Sequence, residues 1–598
     1  MPGRMSISLE MRRHSAAHVM AAAIQRLFPD ATFGVGPAIE HGFYYDVDLS
    51  RPLTTEDLTR IQETMTTIVK ENPTFTREEL AIDEAIALFE GLGQVYKVEL
   101  LKDLKTKGTT AVQDVGAEFD AANVASVSVY RTGSFADLCR GPHVETANQI
   151  GAVKLTKIAG AYWRGKDTNP QLQRVYGWCF ATQEELDAHT KMVEEAEKRD
   201  HKKLGPELDL FTFSDLVGPG LPLWTPRGTL LRNLLDAYVW ELRQRHGYER
   251  VEIPHITKKE LYITSGHWDK YKDDLFRVVT REGHEFAMKP MNCPHHTQIY
   301  ARKLWSYREL PQRYANTTTC YRDEQSGELS GLSRVRAFAQ DDAHVFCRMS
   351  QVKEEFLRIW KIVYEFYGSF GFNLRVRLSI HDPAHPEKYL GDPARWALAE
   401  GMLRDIAKEQ GADAFDGVGE AAFYGPKMDF MAKDSLGREW QVATIQLDMN
   451  MPERFDLVCV NEQGERERIV MIHAAIMGSI ERFLSIAIEH YAGSFPLWLA
   501  PTQVMVASVA DRFVENVHEI AQWLKDSGLR VDIDDSSESV GKKIRKAEQM
   551  KIPVTLVIGE KEASGQPFTV RVRGEQEQHT LDREQLLAFI RERVQNKK

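Results

Sequence analysis

Residues 320–347 read CYRDEQSGELSGLSRVRAFAQDDAHVFC, and this stretch decides the fold of the region around it. Two runs with strand character, 316–321 and 335–340, flank a loop of Gln, Ser, Gly and Glu. This pattern predicts an antiparallel hairpin with a long loop. Arg322 and Glu324 leave the first strand two residues apart, so an extended backbone points both side chains to the same face.

The side chains of this hairpin suit a nucleotide. Arg322 can hold an anion and Glu324 can accept a hydrogen bond from an amine. Arg334 and Phe338 lie on the return side, which adds a second guanidinium for phosphate and a ring for a base. The residues alone leave open a surface hairpin with solvated charges, because short patterns recur by chance.

The same stretch resembles the second signature motif of class II aminoacyl-tRNA synthetases, and RVRAFAQDDAH resembles the threonyl-tRNA synthetase family of bacterial type. The likeness runs along nearly the whole chain and implies an α+β multidomain fold. An α+β editing domain with a connector helix is expected over residues 1–200, a class II antiparallel sheet with helices over 205–497, and an α/β anticodon-binding domain over 498–598. The implied activity is ATP-dependent activation of L-threonine, transfer to the 3′ end of tRNA(Thr), and hydrolytic editing of seryl-tRNA(Thr).

Length and composition agree with a large cytoplasmic protein. A chain of 598 residues with 43% apolar residues can build roughly three or four domains of ~150 residues each. No apolar run approaches the ~18 residues of a membrane helix, and the start lacks the apolar core of a signal peptide. The net charge of −11 argues against a general polyanion binder, so local basic patches are expected to hold any RNA. Six scattered cysteines do not form a disulfide framework.

Near the start, RRHSAAHVMAAAIQRLF places His14 and His18 one turn apart on a helix face. Such a pair is often two satisfied polar residues, but Cys139 and His143 in DLCRGPHV favour a pocket in which all four meet. Together with GFYYDVDL, YKVELL and AGAYWRG, these residues resemble the editing domain of the family, which is related to that of the alanine enzyme. Four ligand-type residues suggest zinc, whereas the resemblance implies a metal-free pocket. The implied editing residues are His14, His18, Lys97, Asp137, Cys139 and His143.

Two features surround this domain. Only thirteen residues precede His14, so the resemblance implies that the chain lacks the small ubiquitin-like domain that bacterial members often carry. The charged segment 183–203 predicts a solvated connector helix that ends at Gly205 and Pro206.

The segment GLPLWTPRG, a helix that ends near Arg245 and Gly247, and the strand ERVEIPHI resemble the first class II motif. In the family this motif forms the dimer interface and ends in a proline, here Pro254, so a homodimer is implied. His267 in TSGHWDKY lies, by resemblance, where the family uses a histidine during transfer to the tRNA ribose. A histidine that closes a loop is the alternative.

Three residues far apart in sequence form the implied zinc site: Cys293 in MKPMNCPHH, His344 in QDDAHVF and His473 in VMIHAAIMGS. No spacing rule relates them; the resemblance does. Three protein ligands and an open position are typical of a catalytic zinc. In the family, zinc takes the amino group and the hydroxyl of threonine together, whereas an apolar pocket would separate isosteres only by ~100-fold. His295, where the family usually has glycine, is a conceivable competing ligand.

The later segments AAFYGPKMDF, WQVATIQLD and HAAIMGSIERF complete the implied active site, in which Gly478 and Arg482 match the third class II motif. Arg322, Arg334 and Arg482 would cover the triphosphate together with Mg²⁺, with no nucleophilic side chain required. The implied catalytic residues are Arg322, Arg334, Arg482, Lys427 and His267. The implied substrate-binding residues are Gln340, Asp342, Tyr424, Gln446, Glu324, Phe338 and Ser479.

After SFPLWLAPTQ, strands alternate with helices, which predicts an α/β unit with a largely parallel sheet. This part resembles the class IIa anticodon-binding domain, in which Glu562 and Arg571 match positions that read anticodon bases. The basic run GKKIRKAEQMK suits phosphate contacts or a solvated helix face. A regulatory paralogue without catalysis, or a free-standing editing hydrolase, is disfavoured because the motif arginines and the implied zinc ligands are all present.

Overall fold

The computed structural model describes residues 7–107, 125–166 and 168–597. The chain folds into two compact units, Met1–Glu194 and Glu195–Lys598, and each is described by itself. None of the described helices has the length and apolar character that crossing a membrane requires.

The first unit packs helices against an antiparallel sheet with strand order β1-β3-β8-β7, in which β2 also pairs with β3. Helix α1 begins at a Ser8 cap and is buried from Ser15 to Ile24, because its run of alanines allows close packing. A second sheet has the order β4-β5-β6. The bounds are α1 Leu9–Leu27, β1 Thr32–Phe33, β2 Ala38–Ile39, β3 Gly42–Asp48, α2 Thr55–Glu71, β4 Phe75–Ala81, α3 Ile82–Gly91, α4 Val95–Lys107, β5 Ser126–Thr132, β6 Phe135–Leu138, β7 Ala152–Tyr162 and β8 Gln171–Phe180.

The connector differs from its prediction. The predicted single helix over 183–203 is two helices, α5 Gln183–Arg199 and α6 His201–Glu207. The chain turns at Asp200, whose side chain accepts a hydrogen bond from the backbone N–H of Lys202 and so starts the second helix. Gly205 and Pro206 lie inside α6 and do not end the helix. Helix α5 buries only Leu186, whereas α6 buries His201, Leu204 and Gly205 and exposes Lys202 and Lys203.

The second unit is built on an eight-stranded, mainly antiparallel sheet with the order β11-β16-β17-β24-β21-β20-β18-β19. Its bounds are β9 Phe211–Thr212, β10 Leu223–Trp224, α7 Pro226–Arg245, β11 Glu249–Arg250, β12 Ile256–Lys258, α8 Lys259–Ser265, α9 His267–Lys270, β13 Arg277–Val279, β14 Glu285–Met288, α10 Cys293–Tyr300, β15 Trp305–Ser306, β16 Gln312–Tyr321, β17 Ala337–Cys347, α11 Val352–Gly368, β18 Leu374–Ile380, α12 Pro393–Glu409, β19 Ala414–Val418, β20 Lys427–Lys433, β21 Glu439–Asp448, α13 Asn450–Arg454, β22 Val458–Val460, β23 Arg466–Arg468, β24 Val470–Ser479 and α14 Ile480–His490.

The predicted hairpin is confirmed, with longer strands than the sequence indicated. Strands β16 and β17 pair in antiparallel register from Gln312 opposite Phe346 to Tyr321 opposite Ala337. Helix α7 also matches its prediction: it ends at Arg245, and Gly247 follows with a φ of +78°.

The end of the chain forms a five-stranded sheet, β26-β25-β27-β28-β29, in which the first three strands are parallel. The predicted alternation of strands and helices is therefore confirmed. The bounds are β25 Val504–Ser508, α15 Val514–Asp526, β26 Val531–Asp534, α16 Val540–Gln549, β27 Val554–Ile558, α17 Glu560–Ala563, β28 Phe568–Val572, β29 His579–Leu581 and α18 Arg583–Gln595.

Candidate functional site

A cavity of about 430 Å³ lies over the strands β17, β20, β21 and β24. Strand β17 supplies every second residue to it, because successive side chains of a strand point to opposite faces. The predicted site residues that line this cavity are Cys293, Arg322, Phe338, Gln340, Asp342, His344, Tyr424, Lys427, Gln446, His473, Ser479 and Arg482. Arg334, Glu324 and His267 are not among the lining residues.

Cys293, His344 and His473 meet at one end of the cavity. Their sulfur and nitrogen ligand atoms all lie within 4.8 Å of one another, and all three residues are buried. The sheet explains the meeting of the two histidines, since His344 on β17 pairs directly with His473 on β24. Their nitrogens Nε2 and Nδ1 are 3.1 Å apart.

The outer nitrogens of the two histidines also have partners. His473 Nε2 lies 3.0 Å from Asp448 Oδ2, and His344 Nδ1 lies 2.7 Å from His296 Nδ1. When each outer nitrogen donates its proton, the two inner nitrogens present lone pairs to the same point. This arrangement, with a cysteine sulfur beside it, suits a zinc ion, because a ring held by an outer hydrogen bond is the usual form of a histidine ligand.

His295 stays outside this group of ligand atoms. Its ring is buried, and neither nitrogen has a hydrogen-bond partner among the described residues. Burial lowers the pKa of His295 to about 4. The structure therefore gives no support to His295 as a competing ligand.

Asp342 is held by a chain of hydrogen-bonded polar side chains that was not predicted from the sequence. Asn292 donates from Nδ2 to Asp342 Oδ2 at 3.1 Å, and Lys289 donates from Nζ to Asn292 Oδ1 at 2.8 Å. Lys289 is fully buried and also donates to Thr318 Oγ1 at 2.9 Å. Such a chain fixes the direction of the Asp342 carboxylate.

The arginines divide into two groups. The Arg322 guanidinium lies 5.1 Å from the centre of the Phe338 ring and lines the cavity, as does Arg482. Arg334 instead pairs with Glu324 at 2.6 Å and with Glu328 at 3.0 Å, on the loop between β16 and β17. The structure therefore brings two of the three predicted phosphate ligands to the cavity.

Lys427 is also anchored by a buried carboxylate. Its Nζ donates to Asp429 Oδ2 at 2.7 Å, and Asp429 is fully buried. Four further side chains donate to the same carboxylate: Arg377, Ser379, Gln441 and Thr444. Asp429 was not predicted, because its partners come from three different strands.

His267 is fully buried among aromatic side chains next to the cavity. Its ring centroid lies 6.1 Å from that of Tyr424, and its Nδ1 lies 2.8 Å from Ser265 Oγ. Burial lowers the pKa of His267 to about 3, so the ring is neutral at physiological pH. Both predicted roles, transfer and loop closure, remain compatible with this position.

The first unit brings the four other ligand-type residues together. Cys139 Sγ lies 3.1 Å from His14 Nε2 and 3.2 Å from His143 Nε2, and the ligand atoms of these residues and His18 all lie within 4.8 Å. Burial raises the pKa of the Cys139 thiol to about 12, and burial lowers the pKa of His143 below its ordinary value. The thiol is therefore protonated and the imidazole neutral near pH 7.

Lys97 and Asp137 lie beside this cluster. Lys97 Nζ is 2.5 Å from Asp137 Oδ1 and donates to the Tyr45 hydroxyl at 3.0 Å. Tyr45 donates to Asp137, and His18 Nε2 is 3.2 Å from Asp137 Oδ2. The six predicted editing residues thus form one connected group, which Tyr45 of the segment GFYYDVDL joins through Lys97 and Asp137.

The two predicted anticodon residues lie on neighbouring elements at the end of the chain. Glu562 on α17 accepts hydrogen bonds from the Gly559 N–H at 3.1 Å and from Thr569 Oγ1 at 3.2 Å. Arg571 is an exposed residue of β28.

Comparison with known proteins matches three family models to separate parts of the chain. Residues 127–176 match the threonyl and alanyl tRNA synthetase second additional domain, 276–491 match the class II core domain of tRNA synthetases (G, H, P, S and T), and 503–593 match an anticodon binding domain. A threonine–tRNA ligase from Gloeobacter violaceus is 47% identical over 97% of this chain and 92% of its own length. The chain belongs to the threonine–tRNA ligase family.

Further comparisons agree with membership in the threonine–tRNA ligase family. A relative from Geobacillus kaustophilus is 43% identical over 99% of this chain and 88% of its own. The crystal structure of the RNA binding domain of threonyl-tRNA synthetase from Cryptosporidium parvum Iowa II matches with a TM-score of 0.63 and 38% identity, over 66% of this chain and 98% of that one. The predicted family, fold class and ligase activity are confirmed, and the second additional domain is consistent with editing.

Proposed function

We propose that the cavity over β17 joins threonine to tRNA(Thr) in two steps. In the first, a carboxylate oxygen of threonine attacks the α-phosphorus of ATP, and pyrophosphate leaves. In the second, a ribose hydroxyl at the 3′ end of tRNA attacks the carbonyl carbon of threonyl-adenylate, and AMP leaves. The meeting of Cys293, His344 and His473 beside Asp342, in one cavity with Arg322 and Arg482, carries this proposal.

Cys293, His344 and His473 would hold one zinc ion. When bound, zinc would supply a Lewis acid for the amino and hydroxyl groups of threonine. Asp342, oriented by Asn292, would accept the hydroxyl proton of threonine in a hydrogen bond. Valine has no hydroxyl to offer, and a site built to bind a hydroxyl rejects such an analogue far more strongly than an apolar pocket does.

Three further side chains would hold the amino acid: Gln340, Tyr424 and Gln446. Gln446 is oriented for this role, because its amide Nε2 donates to the Gly425 carbonyl at 2.9 Å and its oxygen is left for a substrate amine. Tyr424 contacts the ring of His473 with centroids 5.3 Å apart.

The other end of the cavity would take ATP with its Mg²⁺. Phe338 offers a ring for the base, and Arg322 and Arg482 offer charge for the phosphates. Lys427, held by Asp429, adds a third cation, and Ser479 lies beside them. Glu324 and Arg334 would reach the nucleotide from the loop between β16 and β17, where each is now paired with the other. Fixed cations of this kind neutralise developing charge and require no nucleophile.

The cluster in the first unit would hydrolyse seryl-tRNA(Thr). Because the Cys139 thiol is protonated, we assign it a holding role and expect no covalent intermediate. Neutral His14, His18 and His143 can orient a water and accept its proton, and Lys97 with Asp137 would hold the ester end of the tRNA.

Other parts of the proposal rest on the family resemblance. Glu562 and Arg571 would read the anticodon, α7 with the strand that follows would form a homodimer interface, and His267 would assist the transfer step. The domain limits 1–200, 205–497 and 498–598 and a cytoplasmic location belong to the same proposal.

The direct test is ATP–pyrophosphate exchange with purified protein and threonine, serine or valine. Threonine should support exchange, serine should support it about 10- to 200-fold less efficiently, and valine should give the background rate. Exchange with valine at the rate of threonine would contradict recognition through the hydroxyl group. Absence of threonine-dependent exchange would overturn the proposed activity.

A further inference from the structure

His201 joins three parts of the second unit that are distant in sequence. It begins α6, its ring faces the carboxyl end of α14, and it reaches the loop between β16 and β17. The ring is buried, with a relative exposure of 4%. Neither α6 nor this histidine has a role in the proposed chemistry.

Both ring nitrogens of His201 are used. Nδ1 lies 2.6 Å from Glu489 Oε1, and Nε2 lies 3.0 Å from the backbone nitrogen of Leu332, whose N–H can only donate. Nε2 therefore accepts, and Nδ1 carries the proton that is donated to Glu489. Glu489 also accepts from the His201 backbone N–H at 3.2 Å and from Arg438 Nη2 at 2.5 Å. The carboxylate thus fixes the tautomer of the ring, and a metal ion would have no free ring nitrogen here.

The loop between β16 and β17 forms a tight turn next to the acceptor, Nε2 of His201. Ser330 and Arg334 form an isolated bridge that closes a tight turn around Gly331 and Leu332. Leu332 is fully buried in the core, so the turn is anchored by its side chain as well as by its N–H. Gly331 has a φ of +51°, and a Cβ at this position would clash with His201 Nε2. The turn therefore packs closely against the imidazole.

The same loop carries Glu324 and Arg334 at its two ends, and α14 carries Arg482 near its start and Glu489 near its end. The His201 ring thus connects two parts of the proposed nucleotide site. One is the loop between β16 and β17, which carries two proposed nucleotide contacts, and the other is α14, which carries a third. We propose that His201 is a positioning residue that sets the loop for ATP binding. This inference rests on the proposed function, because it assumes that the loop residues contact ATP.

The test compares two substitutions at His201 in the full chain. His201→Leu removes both ring hydrogen bonds at similar volume, whereas His201→Gln keeps one acceptor and one donor at the end of the side chain. We expect His201→Leu to raise the KM for ATP in threonine-dependent pyrophosphate exchange about ten-fold, since it leaves a buried N–H without its partner. His201→Gln should stay within about three-fold of the wild type. Threonine affinity, measured by calorimetry without ATP, should be unchanged in both.

A second pair of variants approaches the contact from the loop. Gly331→Ala should displace the turn and raise the KM for ATP as His201→Leu does, while His201 itself remains in place. Gly327→Ala is the matched control in the same loop, because a Cβ there has no heavy atom within 4 Å. Should His201→Leu fail to fold, the glycine pair alone decides the question.

The outcomes are distinct. An unchanged KM for ATP in both His201→Leu and Gly331→Ala would overturn the inference. A parallel loss of threonine affinity and thermal stability would also overturn it, because it would indicate a general structural role. A wild-type protein without threonine-dependent exchange would instead overturn the proposed function and this inference with it.

Discussion

Nε2 of His344 and Nδ1 of His473 lie 3.1 Å apart on paired residues of two neighbouring antiparallel strands. The strand pairing itself places both rings on the cavity face, and Cys293 approaches from the start of α10. A site built on paired strands holds its ligands more rigidly than one built on loops, which suits a site that must distinguish threonine from valine.

Asp448 should matter to this site although it contacts no substrate in our proposal. Its carboxylate accepts from His473 Nε2 at 3.0 Å, so Asp448→Ala should weaken zinc binding about 10- to 100-fold. Competition with a chelator of known affinity measures this change. Asp413→Ala removes an exposed carboxylate of the same unit and should leave zinc binding unchanged. Equal zinc affinity in the wild type and Asp448→Ala would show that the hydrogen bond from His473 to Asp448 does not orient the histidine for zinc.

His267 should contribute a pH dependence to stability. Burial lowers its folded-state pKa to about 3, whereas the unfolded value is about 6.5. The unfolded chain therefore binds the proton first, and the contribution of this residue to stability is lost as the pH falls from ~6.5 towards 3. Replacing the ring with His267→Phe should reduce the fall in Tm between pH 7.5 and pH 5, measured by calorimetry at both values. Identical falls in the two proteins would mean that His267 is already accessible to protons.

The editing residues should be separable from charging. We expect the double substitution His14→Ala and His18→Ala to leave threonine charging near normal and to let seryl-tRNA(Thr) accumulate. Serine differs from threonine by one methyl group, which is worth only about 10- to 200-fold in a binding site. The measurement is deacylation of preformed seryl-tRNA(Thr), with the exposed His41→Ala as the control. Equal deacylation rates in the wild type and the double variant would assign editing to another site.

Arg571 should affect tRNA charging and not amino-acid activation. Arg571→Ala should raise the KM for tRNA while leaving threonine-dependent pyrophosphate exchange intact, because adenylate formation does not require the anticodon. Arg591→Ala, an exposed arginine on the last helix, is the matched control. A normal KM for tRNA in Arg571→Ala would remove this residue from the anticodon site.

The local parts of this structure were predictable from sequence. The run 335–340 predicts the return strand of the hairpin, and the structure confirms a strand there, β17, which extends to Cys347. The alternating strands and helices after Pro501 were equally predictable, because each element has its own pattern of apolar and polar residues.

The contacts between residues that are distant in sequence could not be predicted in this way. Cys293 and His473 are joined only by the order of strands in the sheet, so the family resemblance and not spacing related them. Asp448, Lys289 and Asp429 escaped prediction because a buried polar residue is recognised only by its partners. The break at Asp200 was not predicted, because its composition resembles that of the charged helix before it. The cap at Asp200 and the burial of His201 become visible only through their contacts.

The central claim is that Cys293, His344 and His473 hold one zinc ion that threonine activation requires. The most direct measurement is zinc content by mass spectrometry, paired with threonine-dependent pyrophosphate exchange, for the wild type, His344→Ala and the exposed control His284→Ala. We predict about one zinc per chain and full exchange in the wild type and the control, and loss of both in His344→Ala. A zinc-free wild type with full exchange, or a His344→Ala protein that keeps both zinc and exchange, would contradict the account.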